Sequence, residues 1–350
     1  MVTVTVKCGD LTDDIILSHK GLAEDCYSLS PEDNSPLARR GWILQERLLS
    51  RRVLYFGTRG MYLECFKNVR FESCHYPTKW DIQANSIITK AVVDQLGSRR
   101  KRLSYWYHLV THYSELLLTK STDRLPALSG IASQFHRATK EDYIAGIWQG
   151  DIARGLAWYT PYYVLTEEPP RVSGWDYLSP SWSWAAAKYG VQFPDYVSEF
   201  LSRVDILEAT VTTSSLDPFG RVDGGYIKLR GKTQIGVIRE LPDSLVRGRR
   251  TLYVYSRDLP GEKLGRFEPD DRCYVPGSEF SVRLLYLGKF KRAREHEDEP
   301  GVALAVEPVH RRIDVYKRIG MVHGDTLHRG APNGLEGFFQ GSREICLTLC

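Results

Sequence analysis

The residues best able to do chemistry in this chain lie between Pro36 and Cys65. Glu46 stands between Gln45 and Arg47, Arg39 and Arg40 precede it, and Glu64 follows. A carboxylate set among apolar residues and cations can serve as a general acid or base, or orient a ligand, because burial and neighbouring charge set its proton affinity. On a helical wheel Trp42, Glu46 and Leu49 share one side, which places Glu46 between a tryptophan and a leucine. An unpaired buried charge costs several kcal/mol, so such a carboxylate requires a cation or donor, and Arg39, Arg40 and Arg47 are at hand. Glu46 is therefore read in two ways, as a catalytic or ligand-orienting carboxylate or as half of an ion pair that ties the helix to its neighbours. The ion pair is favoured, since structural networks also perturb proton affinity. Gln45 and Glu64 carry the same two readings.

The element that positions these groups is a helix over 37–50, opened by Pro36 in its first turn and capped by Ser35 or Asn34. Leu37, Gly41, Leu44 and Leu48 line the side opposite Trp42, Glu46 and Leu49, so the helix is apolar on two sides and is expected to lie between other elements. Val53 to Phe56 and Met61 to Cys65 read as two strands joined by the turn Gly57-Thr-Arg-Gly60.

Other constellations are weaker. His108 and His112 have the spacing of a metal-binding pair on a helix, but no Glu follows the first His and no third ligand is in view, so they are read as solvent-facing. Cys74 and His75 near Cys65 lack the surroundings that activate a thiolate. Trp182 and Trp184, in Pro180-Ser-Trp-Ser-Trp-Ala185, fall on one side of an extended segment. They are either a stacking platform for a ligand base or, as favoured here, anchors between a helical region and a sheet. Ser181 and Ser183 have no motif partner, and neither a nucleophile elbow nor a phosphate-binding glycine loop occurs. No metal and no cofactor are expected.

At 350 residues and 42% hydrophobic content the chain can fill sizeable cores. Its net charge of +4 is too small to argue for nucleic acid, and its basic runs, Arg99 to Arg102 and Lys289 to Arg294, are local. Seven cysteines without a Cys-x-x-Cys pair, and no secretory leader, point to reduced thiols in a cytoplasmic protein. No apolar run is long enough for a membrane span.

Three regions are expected. Residues 1–76 begin with a strand at Val2 to Val6 and contain the helix and hairpin. Residues 77–197 are mainly helical. The stripe Leu103, Trp106, Tyr107, Val110, Ser114 and Leu117 marks one helix, and Leu128, Ile131, Ala132 and Phe135 mark another that starts at Pro126. A third covers Tyr143 to Trp148, and Asp151 caps a fourth from Ile152 to Trp158. A polar loop follows at Thr166 to Gly174. Residues 198–350 are β-rich, with candidate strands at 204–212, 226–230, 234–238, 252–255, 281–287, 302–307, 316–322 and 344–349. They suggest an antiparallel sheet or small barrel.

The run from Arg40 to Ser50, with Tyr62-Leu-Glu-Cys65 behind it, resembles the closing part of a fungal heterokaryon-incompatibility (HET) domain. Leu125 to Ala132, Tyr143 to Trp148, Gly155 to Trp158, Pro180 to Ala185, Val306 to Pro308, Val315 to Gly320 and Glu344 to Leu349 are similar, in that order, to the region that follows this domain in many such proteins. The positions that match the family's motifs are Arg40, Gly41, Trp42, Gln45, Glu46, Arg47, Glu64, Cys65, Pro180, Trp182 and Trp184. The resemblance implies an α+β chain with a remnant of a TIR-like α/β domain, a helical middle and an antiparallel β-rich end. It implies a role in fungal non-self recognition and programmed cell death, with other proteins of the incompatibility response as partners. No counterpart of the family's opening Leu-Ser-Tyr-x-Trp-Gly-like strand precedes Pro36. The domain is thus expected to be N-terminally truncated and this chain to lack catalytic activity. The alternatives are a protein-binding module built on the C-terminal β region, or a TIR-like NAD-cleaving enzyme if the domain is complete.

Overall fold

A computed structural model describes residues 2–8, 11–17, 36–57, 60–65, 69–71, 97–161, 179–194, 199–240, 251–257, 261, 263–271, 279–291, 301–324 and 334–350. It divides the chain once, into Met1–Ala91 and Val92–Cys350. The helical and β-rich regions expected as separate thus share one unit. The polar loop at 166–174, together with Cys74 and His75, lies outside the described residues.

In the first unit β1 (Val2–Cys8) pairs antiparallel with β2 (Leu11–Leu17), so the strand expected at Val2 has a neighbour. Pro36–Arg39 form a short 3-10 turn, and only then does α1 (Gly41–Leu49) begin. The continuous helix expected over 37–50 is interrupted because Arg40 is extended, at φ −91° and ψ 128°. The hairpin is as expected. β3 (Arg52–Gly57) pairs with β4 (Gly60–Cys65) across the predicted turn, and β5 (Val69–Phe71) adds a third strand.

In the second unit α2 (Arg99–Ser114) starts at Ser98, whose hydroxyl accepts from the Lys101 amide at 3.4 Å. Leu103, Trp106, Tyr107, Val110 and Ser114 are buried as their spacing predicts, while Leu117 lies past the helix and is exposed. α3 (Ser129–Thr139) buries Ile131, Ala132 and Phe135. The helix expected at Tyr143 to Trp148 is instead a hairpin of β6 (Tyr143–Ile144) and β7 (Ile147–Trp148). Its turn residues Ala145 and Gly146 have φ of 43° and 95°, the left-handed geometry that hairpin turns demand. The apolar run is buried throughout, and continuous burial hides the difference between the two periods. Around it Trp106, Phe135 and Trp148 pack with ring centroids 5.1 to 5.7 Å apart. α4 spans only Ile152–Gly155, and Asp151 makes no side-chain cap there.

The remaining strands are β8 (Glu199–Ser202), β9 (Val204–Thr212), β10 (Gly224–Glu240), β11 (Leu252–Ser256), β12 (Lys263–Pro269), β13 (Phe280–Lys291), β14 (Gly301–Pro308), β15 (Val315–Gly324) and β16 (Glu344–Leu349). The strands expected at 226–230 and 234–238 are one, β10. Its first half pairs with β9 and β16 and its second half with β11 and β13. Antiparallel pairings then run β10–β11–β12–β15–β14–β13 and back to β10, closing a barrel. Ile238, Val254, Phe267, Leu284, Ala303, Ala305 and Val322 form its core with Leu335 and Phe339, from α5 (Gly334–Phe338) and the residue after it. Closure leaves these strands no free edge in the barrel wall. Among the described residues the one parallel contact is β15 with β16, at Val315 and Tyr316.

Candidate functional site

The motif between Arg40 and Cys65 folds as α1 against one face of the hairpin. Val53 and Tyr55 alternate with Leu54 and Phe56, so the former pair shares a face with Glu64 on β4. Arg47, in the last turn of α1, reaches Glu64 with two bonds: Nε donates to Oε2 at 3.0 Å and Nη2 to Oε1 at 3.2 Å. The Tyr55 hydroxyl donates to Oε2 at 2.7 Å. Both charges are buried, with 7% and 4% of their side chains exposed. A carboxylate bound this way is fixed in place and charge-compensated.

Glu46 is elsewhere. It is exposed on α1, and Trp42 on the same side is 37% exposed. The two-sided apolar helix expected from the wheel is thus one-sided among the described residues: Gly41, Leu44, Arg47 and Leu48 are buried, and Leu37, before the helix, is exposed. The buried carboxylate that the sequence assigned to Glu46 is Glu64, and its cation is Arg47. Helix phase explains the exchange, because Arg47 follows Leu44 by three positions and joins the Leu44–Leu48 face. The carbonyl of Glu46 accepts from the Ser50 amide at 3.1 Å and its hydroxyl at 2.7 Å, closing the helix. Gln45 and the Cys65 thiol are half-buried, and Arg40 is exposed.

The Pro180 to Ala185 segment is wound into turns rather than extended, and Trp182 and Trp184 are both fully buried. Trp184 Nε1 donates to the Gly146 carbonyl at 2.9 Å, and Trp106 Nε1 reaches the same oxygen at 3.2 Å. Ser183 donates to the Ala145 carbonyl at 2.6 Å, and the Trp158 indole to the Trp182 carbonyl at 2.9 Å. Ser181 accepts from the Arg318 amide at 3.0 Å and donates to the Cys350 carbonyl. The segment therefore ties the β6–β7 hairpin to β15 and β16, and the tryptophans present no open stacking face.

Sequence reasoning missed a cluster around Asp151. Tyr107, on the buried face of α2, donates to Asp151 Oδ2 at 2.6 Å. Burial raises the Asp151 carboxyl above its usual range, while the Tyr107 bond and the charges of Arg154 and Arg99 pull it back. Burial likewise pushes the Tyr107 phenol well above its ordinary value. Arg154 lies 4.8 Å over the Tyr107 ring. Arg99 grips Glu141 with two bonds, of 2.5 and 3.0 Å, and donates to the Gly150 carbonyl at 2.9 Å. A protonatable carboxyl beside a phenol can pass a proton, and the cluster is half-exposed at Asp151. Its signal in the sequence was the placement of Tyr107 on the apolar stripe of α2, which demands a polar partner for its hydroxyl.

His108 and His112 are half-buried rather than solvent-facing, and burial, then the charge of His112, lowers His108. Among the described residues no group of three His, Cys, Asp or Glu side chains could hold a metal, and no helix is long and apolar enough to cross a membrane. A scan against protein-family models, a search of curated proteins and a search of solved structures each gave no match.

Proposed function

We propose that this chain is a HET-family protein of the fungal cytoplasm that takes part in non-self recognition and programmed cell death, and that it works through protein contacts rather than by catalysis at its motif carboxylates. The observation that carries this reading is the Arg47–Glu64–Tyr55 cluster. The buried acid of the motif is engaged by three donors of its own fold, two of them charged, while Glu46 stands outside this cluster on the exposed side of α1. Such an arrangement steadies a helix on a hairpin, and a steadied surface suits recognition. The Trp182–Trp184 segment supports the same reading, since Ser181, Ser183, the Trp184 indole and the Trp182 carbonyl join strands and hairpin.

The test is expression of the chain in a filamentous fungus, scored for growth arrest and cell death, with NAD measured in parallel. Wild type and Glu46→Ala are expected to arrest growth alike without consuming NAD, and Glu64→Ala to lose the effect with its fold. NAD loss that disappears in Glu46→Ala overturns the non-catalytic reading. A chain without effect on growth in any fungal background overturns the role in cell death.

A further inference from the structure

The hairpin that carries Glu64 has a second face. Arg52, Leu54 and Phe56 on β3 alternate with the residues that turn toward α1, and in register they oppose Cys65, Leu63 and Met61 on β4. This face is open. Leu54 is 52% exposed, Phe56 76% and Met61 37%, and Arg51 and Arg52 at its base are exposed too. Polarity is segregated along the strands: arginine at the base, leucine in the middle, phenylalanine and methionine at the turn end. A docking surface for a folded protein has its polar groups as a rim around an apolar centre. Here the apolar side chains run out to the end of a hairpin, with only cations behind them.

We infer that this hairpin docks the protein on an anionic lipid surface, its Phe56–Met61 end entering the headgroup and acyl boundary and Arg51 and Arg52 meeting lipid phosphates and carboxylates. From Arg52 to Phe56 the strand rises about 13 Å, at ~3.3 Å per residue. That is close to the depth, about 5–10 Å, at which interfacial apolar faces settle, once a tilt and the reach of the arginine stems are allowed for. Charge complementarity selects the lipid: among the described residues over 37–65, Arg39, Arg40, Arg51 and Arg52 are exposed against one exposed acid, Glu46. The surface makes no span and is separate from the Glu64 face.

The experiment is co-sedimentation of the full chain with vesicles of phosphatidylcholine alone and of phosphatidylcholine mixed with phosphatidylserine, at low and high salt. Binding is expected only to the mixed vesicles and is expected to weaken with salt. Phe56→Asp is expected to lower affinity about tenfold or more, from the apolar burial lost, and the pair Arg51→Glu and Arg52→Glu to abolish the preference for phosphatidylserine. All these side chains are exposed, and far-UV circular dichroism of each variant checks that the fold is kept. A Phe56→Trp variant adds a positive readout, a blue shift of its emission with mixed vesicles. The proposal is overturned if wild type stays in the supernatant, if Phe56→Asp binds as wild type does, or if Phe56→Asp changes only self-association or capture of an acidic protein.

Discussion

Removing the Arg318 side chain should loosen the whole Val92–Cys350 unit. The Arg318 guanidinium has none of its side chain exposed and is held on four sides. Nε and Nη2 donate to the two oxygens of Asp270 at 2.8 and 3.0 Å. Nη1 donates to the Leu156 carbonyl at 2.6 Å, Nη2 also reaches the Trp158 carbonyl, and the group lies 3.4 Å over the Trp158 ring. Burial lowers the Arg318 guanidinium and raises the Asp270 carboxyl, and their pairing opposes each shift. Arg318→Met keeps the volume and leaves a buried carboxylate uncompensated, a loss of about 3–5 kcal/mol. Two carbonyls also lose their donor at roughly 1 kcal/mol each, although part of this overlaps with the first figure. At about 2–4 °C per kcal/mol for a unit of this size, a loss of ~4 kcal/mol lowers the melting temperature by about 8–16 °C. Urea unfolding followed by tryptophan fluorescence reads the change directly, since Trp158 is part of the site. Arg318→Met with Asp270→Asn should recover about 2 kcal/mol of the loss, because the stranded charge is gone. A single variant that costs under about 1 kcal/mol, or a double variant no more stable than the single, would refute the argument that this pair locks the 156–158 segment to β15.

Gly146→Ala should destabilise by about 2 kcal/mol or more in thermal melts, since φ is +95° and the new Cβ would collide with the Trp184 indole; an unchanged melting temperature would show that the hairpin turn is not pinned there. Burial and the charges of Arg266 and Arg318 push His323 down to about 3. The unfolded chain then takes up a proton below about pH 6.5 that the native ring refuses, so this stability is present above that value and is lost as pH falls toward 3. Between about pH 7 and 5 wild type should lose ~2 kcal/mol more than His323→Phe, read by urea unfolding at both pH values. In the first unit Glu64→Gln should cost about 2–3 kcal/mol by removing a buried charge that pairs with Arg47, and Tyr55→Phe about 1 kcal/mol. Hydrogen exchange of the α1 amides checks both, and equal protection in wild type and Glu64→Gln would rule out the clamp.

Much of the β-rich end was legible because half-buried strands alternate and turns punctuate them. The strand predicted at Val204 to Thr212 has the same limits in the structure. Helices α2 and α3 were legible for the matching reason, a stripe at the helical period facing one core. The hairpin at Tyr143 to Trp148 was not, because every side chain in it is buried and periodicity is silent there. Asp151 was misread as a cap because its partner, Tyr107, is distant in the chain; only packing brings the two within 2.6 Å.

The same division holds for the motif between Arg40 and Cys65. Residue order and type alone specify a helix followed by a tight hairpin, a carboxylate that needs a cation, and a pair of tryptophans that need burial. Those are local properties: periodicity, turn chemistry and the cost of an uncompensated charge. Tertiary structure alone decided that the buried carboxylate is Glu64 rather than Glu46, that its cation is Arg47, and that β10 bends across two sets of neighbours to close a barrel. These depend on which helix face meets which strand face. That choice is set by the total apolar area removed from water and by the pairing of most buried donors and acceptors, quantities no single segment contains.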